Sequence, residues 1–111
     1  MTYIGLVEFR ESRAFSRRVE PILSAEEYRA LQLQLVARPD AGRVIPGTGR
    51  LRKLRWSTRA RGQGKRGGAR VIYFRYVAKA RIYLLAIYGK DEQDDLSAAE
   101  KRVLRALAEA D

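Results

Sequence analysis

The chain has 111 residues, 46% of them hydrophobic, and carries 23 Lys and Arg against 13 Asp and Glu, a net charge of +10. This length suits one domain, and the apolar content excludes a disordered chain. Because Cys and His are both absent, disulfides, thiolate nucleophiles, the usual zinc sites and His-based acid–base pairs are excluded. We expect a single domain over residues 1–111 with no metal or other cofactor. The positive charge predicts a polyanionic partner, unless it only reflects a basic proteome.

The N-terminal third of the chain predicts one strand and two helices. Residues 3–9 form the strand, and the charged residues 10–19 form a short helix that Pro21 ends. Ser24 and Glu27 are spaced as the capping box of the second helix. No signal-peptide layout and no apolar run of bilayer length is visible, so we expect a cytoplasmic protein and no membrane partner.

The rest of the chain predicts three strands and a last helix. Residues 51–56 alternate between two faces of a strand, with Arg52, Leu54 and Trp56 on one and Leu51, Lys53 and Arg55 on the other. Residues 70–77 and 81–88 form a hairpin that is apolar on both faces, which predicts central positions in the sheet.

Ser97 and Glu100 form a second capping box at the start of the last helix. Its apolar stripe is expected at Val103, Leu104 and Leu107. The order β-α-α-β-β-β-α predicts a compact α+β domain, with an antiparallel-rich sheet and helices packed on one face.

A basic block is the strongest functional signal in the sequence. Residues 49–70 contain nine cations, Arg70 included, and no acid, a density that attracts phosphates. Glycines in the same stretch let the backbone approach a polyanion closely. The alternative is a solvated basic loop without a specific partner. We expect RNA contacts from Arg50, Arg52, Arg59, Arg61, Lys65 and Arg66.

An acidic run follows the last strand, with carboxylates at Asp91, Glu92, Asp94 and Asp95. Such a cluster could hold magnesium. The better account is that negative charge just before Ser97 stabilises the N-terminal end of the last helix.

Three segments together resemble one known family. The run GTGRLRKLRW at 47–56, the run GKRGGARVIYF at 64–74 and the run RIYLLAIYGKDEQDDL at 81–96 are similar to the HigB-type branch of the RelE/ParE toxin superfamily. The resemblance covers roughly residues 3–107. It implies a compact RelE-like domain and the toxin of a type II toxin–antitoxin pair, with a helix-turn-helix antitoxin as partner. RelE-like members cleave mRNA in the ribosomal A site without metal or histidine.

The resemblance also implies a set of catalytic residues. Lys53 and Arg55 match two lysines on a RelE strand, and Arg70 matches the arginine that opens the next strand. Lys90 is the nearest replacement for a catalytic arginine, because Asp91 occupies that position, and the late family tyrosine has no equivalent. Since neighbouring arginines disfavour a further positive charge, Lys53 is the first candidate for proton transfer, followed by Lys90 and then by Glu92.

The expected activity is therefore a ribosome-dependent endoribonuclease that cleaves translated mRNA and contacts rRNA through the basic loop. Two alternatives remain open at this point. One is a ParE-like inhibitor of DNA gyrase with the same fold, and the other is a non-catalytic RNA-binding module. The cations at 53, 55 and 70 favour the nuclease.

Overall fold

The computed structural model describes residues 2–57, 68–93 and 95–111. Its centre is a mixed sheet with the strand order β1-β2-β6-β5-β4-β3. The parallel pair is β2 with β6, and the other pairs are antiparallel. The strands are β1 Thr2–Ile4, β2 Val7–Glu11, β3 Arg43–Val44, β4 Arg52–Trp56, β5 Ala69–Tyr76 and β6 Arg81–Gly89. The helices are α1 Arg13–Ile22, α2 Ala25–Ala37 and α3 Ala98–Ala110. The predicted α+β class and antiparallel-rich sheet are confirmed.

The N-terminal segment is a hairpin rather than the single strand predicted for residues 3–9. Ile4 pairs with Val7, so only Gly5 and Leu6 connect β1 to β2. Gly5 adopts φ +60, a conformation that glycine reaches without strain and that suits the first position of a two-residue hairpin turn. The chain therefore turns back at Gly5, although the apolar residues of this segment alone predict one continuous strand.

Helix α1 begins later and ends later than the sequence predicted. Arg10 and Glu11 belong to β2, since they pair with β6. Ser12 caps the helix by accepting from the Phe15 N–H at 3.0 Å, while its hydroxyl donates to the Leu85 carbonyl at 2.7 Å. Pro21 lies inside the last turn, so it does not end the helix.

Both predicted capping boxes are confirmed. In α2 the Ser24 N–H donates to the Glu27 carboxylate at 2.8 Å, and the Glu27 N–H donates to the Ser24 hydroxyl at 3.1 Å. Ser97 and Glu100 make the same pair of bonds at the start of α3. Each box satisfies backbone donors that a helix N-terminus otherwise leaves unpaired.

The helices cover both faces of the sheet, instead of the single face expected from the sequence. Phe15 of α1 and Leu31 and Leu35 of α2 pack with Phe9 and Val71 on one face. We call the opposite side the α3 face, where Leu104 and Ala108 of α3 pack on Leu51, Ile72 and Leu85. Central strands β5 and β6 are apolar on both faces, as predicted, and a sheet of that kind needs cover on both.

The stripe by which α3 packs also differs from the predicted one. Leu104 and Ala108 are buried, whereas Val103 and Leu107 are exposed. The spacing of four residues fits one face of a helix, and the small Ala108 brings the helix close to the sheet. The sequence pattern pointed to the larger apolar residues of α3 as the buried ones. In the structure, burial depends on which positions face the sheet, and these are Leu104 and Ala108.

An ionic cluster fastens the end of α3 to the sheet. Arg81 binds Glu8, and its guanidinium also donates to the Asp111 carboxylate at 2.6 Å. Arg10 ion-pairs with the same two acids. The hydrogen bond and charge of Arg81 lower the pKa of Glu8, and Arg10 adds to this. A carboxyl whose pKa is lowered by folding stabilises the protein above its ordinary pKa, and this contribution is lost as the pH falls through the lowered value.

We predict that Glu8→Gln destabilises the protein at neutral pH and that the loss shrinks in acid. The reason is that wild-type Glu8 becomes protonated below its lowered pKa and then resembles Gln. Urea unfolding at neutral pH and near pH 3 measures the difference. The matched control is Glu109→Gln, which removes an exposed pair with Arg105 on α3 and should change the free energy of unfolding by less than about 0.5 kcal/mol. An equal loss from Glu8→Gln at both pH values would contradict the prediction.

Candidate functional site

Strand β4 distributes its cations between the two faces of the sheet, as the alternation predicted. Lys53 pairs with Ile72 and Arg55 with Arg70, which places both on the α3 face. Arg52 pairs with Tyr73 and lies on the opposite face, where it ion-pairs with Asp40 at 3.5 Å and donates to the Gly42 carbonyl at 2.7 Å. Arg52 is therefore separated from the other two.

Arg55 and Arg70 face each other across neighbouring strands. They are register partners in the β4–β5 pair, so their Cβ atoms lie about 4.5–5.5 Å apart. Like charges in this position destabilise a sheet, whereas a bound polyanion removes the repulsion. Arg70 is 5% exposed and pairs in register with Tyr88 of β6, so its position is fixed by both neighbours.

Lys90 joins the same end of the sheet. Its N–H donates to the Gly68 carbonyl at 3.3 Å, next to the start of β5, and Gly89 pairs in register with Ala69. The structure thus places Lys53, Arg55 and Arg70 on one face of the β4–β5 pair and Lys90 directly after β6, beside the start of β5. Four of the five predicted catalytic residues therefore lie in this part of the sheet.

Glu92 has a different setting from the other four. Its carboxylate binds Arg18 of α1 through both oxygens. A carboxylate held by a guanidinium is stabilised in its charged form and is a weak proton acceptor. This pairing argues against Glu92 as the general base.

Lys53 carries an ion pair that the sequence did not predict. Its ammonium donates to the Asp95 carboxylate at 2.7 Å, with the Lys53 side chain 17% exposed and that of Asp95 79% exposed. The hydrogen bond and charge of Lys53 lower the pKa of Asp95, and the charges of Lys101 and Arg55 lower it further. Asp95 therefore lies among three cations.

Four cations, Arg43, Lys53, Arg55 and Lys101, line an open groove of about 790 Å³ between the β3–β4 edge and the start of α3. The buried Thr48 fixes the turn that follows the apolar groove residue Ile45, because its hydroxyl donates to the Ile45 carbonyl and accepts from the Leu51 N–H. Beside these cations the groove is lined by the apolar residues Val44, Ile45 and Pro46.

Tyr73 positions the short strand β3 beside the groove. Its hydroxyl donates to the Pro39 carbonyl at 2.7 Å and accepts from the Gly42 N–H at 2.9 Å. A Cβ on Gly42 would come within 2.9 Å of the Tyr73 ring and 3.0 Å of the Lys53 carbonyl, so only glycine allows this approach.

The predicted RNA-contact residues fall into three groups. Arg50 is exposed just before β4, with φ +80, and Arg52 lies on the face opposite Lys53. Arg59, Arg61, Lys65 and Arg66 lie outside the described residues. Trp56 and Ala69, the register pair that flanks residues 58–67, lie at the end of the sheet where the cations converge.

Sequence reasoning missed Asp95 and Lys101. The acids before α3 were assigned to the helix N-terminus, and Lys101 had no visible signal. Asp95 is 42 positions from Lys53 in the chain, and its partner became visible only once α3 was placed on this face. The magnesium alternative loses support because Glu92 and Asp95 bind separate cations.

Within residues 2–57, 68–93 and 95–111, two kinds of feature are absent. No helix there has the length and apolar character to cross a membrane. No group of three or more acidic side chains there is arranged to hold a metal ion.

We predict that Lys53→Met raises the pKa of Asp95 toward its ordinary value. The reason is that Lys53 contributes the largest stabilisation of the Asp95 carboxylate. Titration of the side-chain carboxyl carbon by NMR measures this directly. Arg52→Met on the other face is the control and should leave Asp95 unchanged, while an unaltered Asp95 pKa in Lys53→Met would contradict the assigned pair.

Comparison with solved structures places this fold among known ones. The chain is similar to a chain of the intact E. coli RelBE toxin–antitoxin complex, with a TM-score of 0.53 and 13% sequence identity. The match covers 73% of this chain and 93% of that one. No protein-family model matches the sequence. At this level of identity the likeness establishes the fold, and the α+β architecture expected from the sequence is a RelE-like one.

Proposed function

We propose that this chain is the toxin of a type II toxin–antitoxin pair, of the HigB-type branch of the RelE superfamily. Its activity is metal-independent endonucleolytic cleavage of mRNA during translation. The observation that carries the proposal is the convergence of Lys53, Arg55 and Arg70 on one face and one end of a RelE-like sheet. The site would act in the cytoplasm, where ribosomes present the message.

The chemistry follows from what phosphodiester cleavage needs. Attack of a ribose 2′-oxygen on the adjacent phosphorus breaks the bond to the 5′-oxygen, which leaves with a proton. Arg55 and Arg70 remain protonated and can hold the phosphate oxygens, where negative charge grows in the transition state. Among the four predicted catalytic residues in this part of the sheet, Lys53 and Lys90 are the ones that can exchange protons.

We expect the ribosome to accelerate cleavage by positioning the message in the site. A site without histidine or metal has weak intrinsic acid–base chemistry, so alignment of the 2′-oxygen, phosphorus and leaving oxygen matters more. We therefore expect ribosome-bound message to be cut and naked RNA to be left largely intact. Arg50 and the cations of residues 58–67 would contact rRNA as phosphate-neutralising charges.

The partner is proposed to be a helix-turn-helix antitoxin with an acidic or apolar segment. The similar E. coli chain belongs to a toxin–antitoxin complex, and a basic groove with an apolar wall offers such a segment both kinds of contact. The antitoxin could instead act sterically, because a bound partner of sufficient size would keep the toxin out of the ribosome.

The second candidate function is inhibition of DNA gyrase. A gyrase inhibitor would have the same fold, but its activity would not require Lys53, Arg55 and Arg70 to lie together. The grouping of these three cations therefore favours the nuclease. A non-catalytic RNA-binding module would use the same cations without strand-fixed geometry.

We predict that induction of the wild-type chain produces new mRNA 5′ ends in phase with codons, and that Arg70→Met abolishes them. Loss of one transition-state charge contact lowers the rate by roughly 100- to 1000-fold. Mapping RNA 5′ ends after induction measures this. Arg75→Met is the matched control, because it lies on the same strand but on the opposite face and near the other end.

The outcomes separate the candidates. Growth arrest with intact mRNA and broken DNA would replace the nuclease by the gyrase inhibitor. Normal growth at high expression of folded protein would remove both toxin functions. Because Arg70 is buried, Arg55→Met at an exposed position serves as the second variant and should lose cleavage as well.

We predict that Lys53→Arg is severely impaired in single-turnover cleavage on programmed ribosomes. Arginine keeps the charge but cannot release a proton at neutral pH, so binding should be retained and catalysis lost. Affinity for the ribosome is measured separately. Near-normal cleavage by Lys53→Arg would show that Lys53 acts only as a charge, and Lys90 would become the leading proton-transfer candidate.

A further inference from the structure

An acidic side chain sits among the cations of the proposed site. The Asp95 carboxylate accepts from the Lys53 ammonium at 2.7 Å, although Asp95 is mostly exposed and Lys53 mostly buried. Lys101 and Arg55 also stabilise its negative charge. An exposed acid gains little from one surface ion pair, so its position reflects the combined field of several cations.

The three cations come from two elements of the fold, a strand and a helix, that are held by different means. Lys53 and Arg55 share a face of β4, two residues and about 6.6–6.8 Å apart along the strand. Lys101 stands in the first turn of α3, where its N–H donates to the Ser97 carbonyl at 3.0 Å. Elements fixed by the sheet register and by a capping box give a preorganised set of donors.

We propose that Lys53, Arg55 and Lys101 form a binding site for a backbone phosphate of single-stranded RNA, and that Asp95 occupies this site until the phosphate displaces it. The inference rests on the proposed function for the identity of the polyanion. It adds Lys101 to the site and gives Asp95 the role of an in-chain competitor.

A carboxylate is a suitable stand-in for a phosphodiester. Both offer two oxygens that share one negative charge, and both accept from ammonium and guanidinium donors. Asp95 satisfies Lys53 with one oxygen, whereas a phosphate at the same place could bridge Lys53 to Arg55 or Lys101. Because the phosphate contacts more of the cations than Asp95 does, it can displace the Asp95 carboxylate.

The groove wall favours RNA over an acidic peptide. Val44, Ile45 and Pro46 line the groove next to the cations, and Val44 is 44% exposed. Unstacked bases of single-stranded RNA pack their faces on such surfaces while the backbone meets the charges. A run of acidic side chains carries no comparable apolar partner beside each charge.

The test measures binding of a short 2′-O-methyl oligoribonucleotide, which cannot be cleaved through the 2′-oxygen. Asp95→Asn removes the competing charge and should tighten binding roughly two- to fivefold, the range set by one exposed ion pair. Lys101→Gln should weaken binding and lower the slope of log affinity against log salt by about 0.7, one phosphate contact on a single strand.

The matched control is Asp40→Asn. Asp40 is also an exposed acid that ion-pairs with a cation of β4, but with Arg52 on the opposite face. Asp40 also ion-pairs with Arg75 of β5 at 3.4 Å, on that same opposite face. The two variants therefore change the net charge equally but on opposite faces of the sheet. Asp40→Asn should bind the oligonucleotide as the wild-type protein does.

Three results would overturn the proposal. Equal tightening in Asp95→Asn and Asp40→Asn would show an effect of net charge alone, and weaker binding in Asp95→Asn would show that Asp95 supports the ligand. An unchanged salt slope in Lys101→Gln would remove Lys101 from the site. Binding of a polyglutamate peptide in preference to the oligonucleotide, with the same response to Asp95→Asn, would assign the site to an acidic protein segment.

The binding test is independent of cleavage. Oligonucleotide binding with the predicted variant pattern, in a protein that cuts no message on ribosomes, would keep the phosphate site and reject the nuclease. Cleavage on ribosomes by a protein whose affinity is indifferent to Asp95 and Lys101 would do the reverse.

Discussion

The antiparallel register of β4 against β5 is the constraint on which the site depends. It sets Arg55 opposite Arg70 and puts Lys53 on the same face, so cations that repel one another are held within one small area. Nothing local favours this grouping, because like charges across strands are destabilising. The central apolar strands supply the favourable free energy, since Val71, Ile72, Leu84 and Leu85 are fully buried.

Helix α3 connects the two ends of the α3 face. Its C-terminal end is fastened by the cluster of Glu8, Arg10, Arg81 and Asp111, and Tyr76 donates to its Ala108 carbonyl. Its N-terminal end carries Lys101 beside the groove. A helix pinned at one end and packed through Leu104 and Ala108 holds its other end in place, so the ionic cluster contributes to the geometry of a site at the far end of the helix.

The local features of this fold could be predicted from the sequence. Alternation in β4 predicted which cations share a face, and the Ser-x-x-Glu spacings predicted the starts of α2 and α3, because both depend on residues close in the chain. The β1–β2 turn and the face chosen by α3 were missed. The first depends on one left-handed glycine within an apolar run, and the second on which sheet surface Leu104 and Ala108 can reach.

The candidate site shows the same division. Lys53, Arg55, Arg70 and Lys90 were named because their positions in three sequence runs resemble the RelE family, and the structure places all four in the same part of the sheet. Glu92 and Asp95 lie in one acidic run that sequence reasoning treated as a unit. The fold gives them different partners: Arg18 on α1 holds Glu92, and Lys53 holds Asp95. Long-range electrostatics of this kind depends on the tertiary arrangement, which no local pattern encodes.

A protein with a basic site has to remain folded both without and with the bound ligand. Without a counter-charge, the repulsion among Lys53, Arg55 and Arg70 would raise the free energy of the folded chain, and solvent screens the buried Arg70 less than the exposed Arg55. An exposed carboxylate such as Asp95 lowers that free energy while remaining weak enough to be displaced, because it can swing into water with little penalty. A buried acid in its place would resist displacement, because leaving the cations would strand a buried charge without a partner. The exposure of Asp95 therefore reconciles a folded basic site with one that still binds a polyanion.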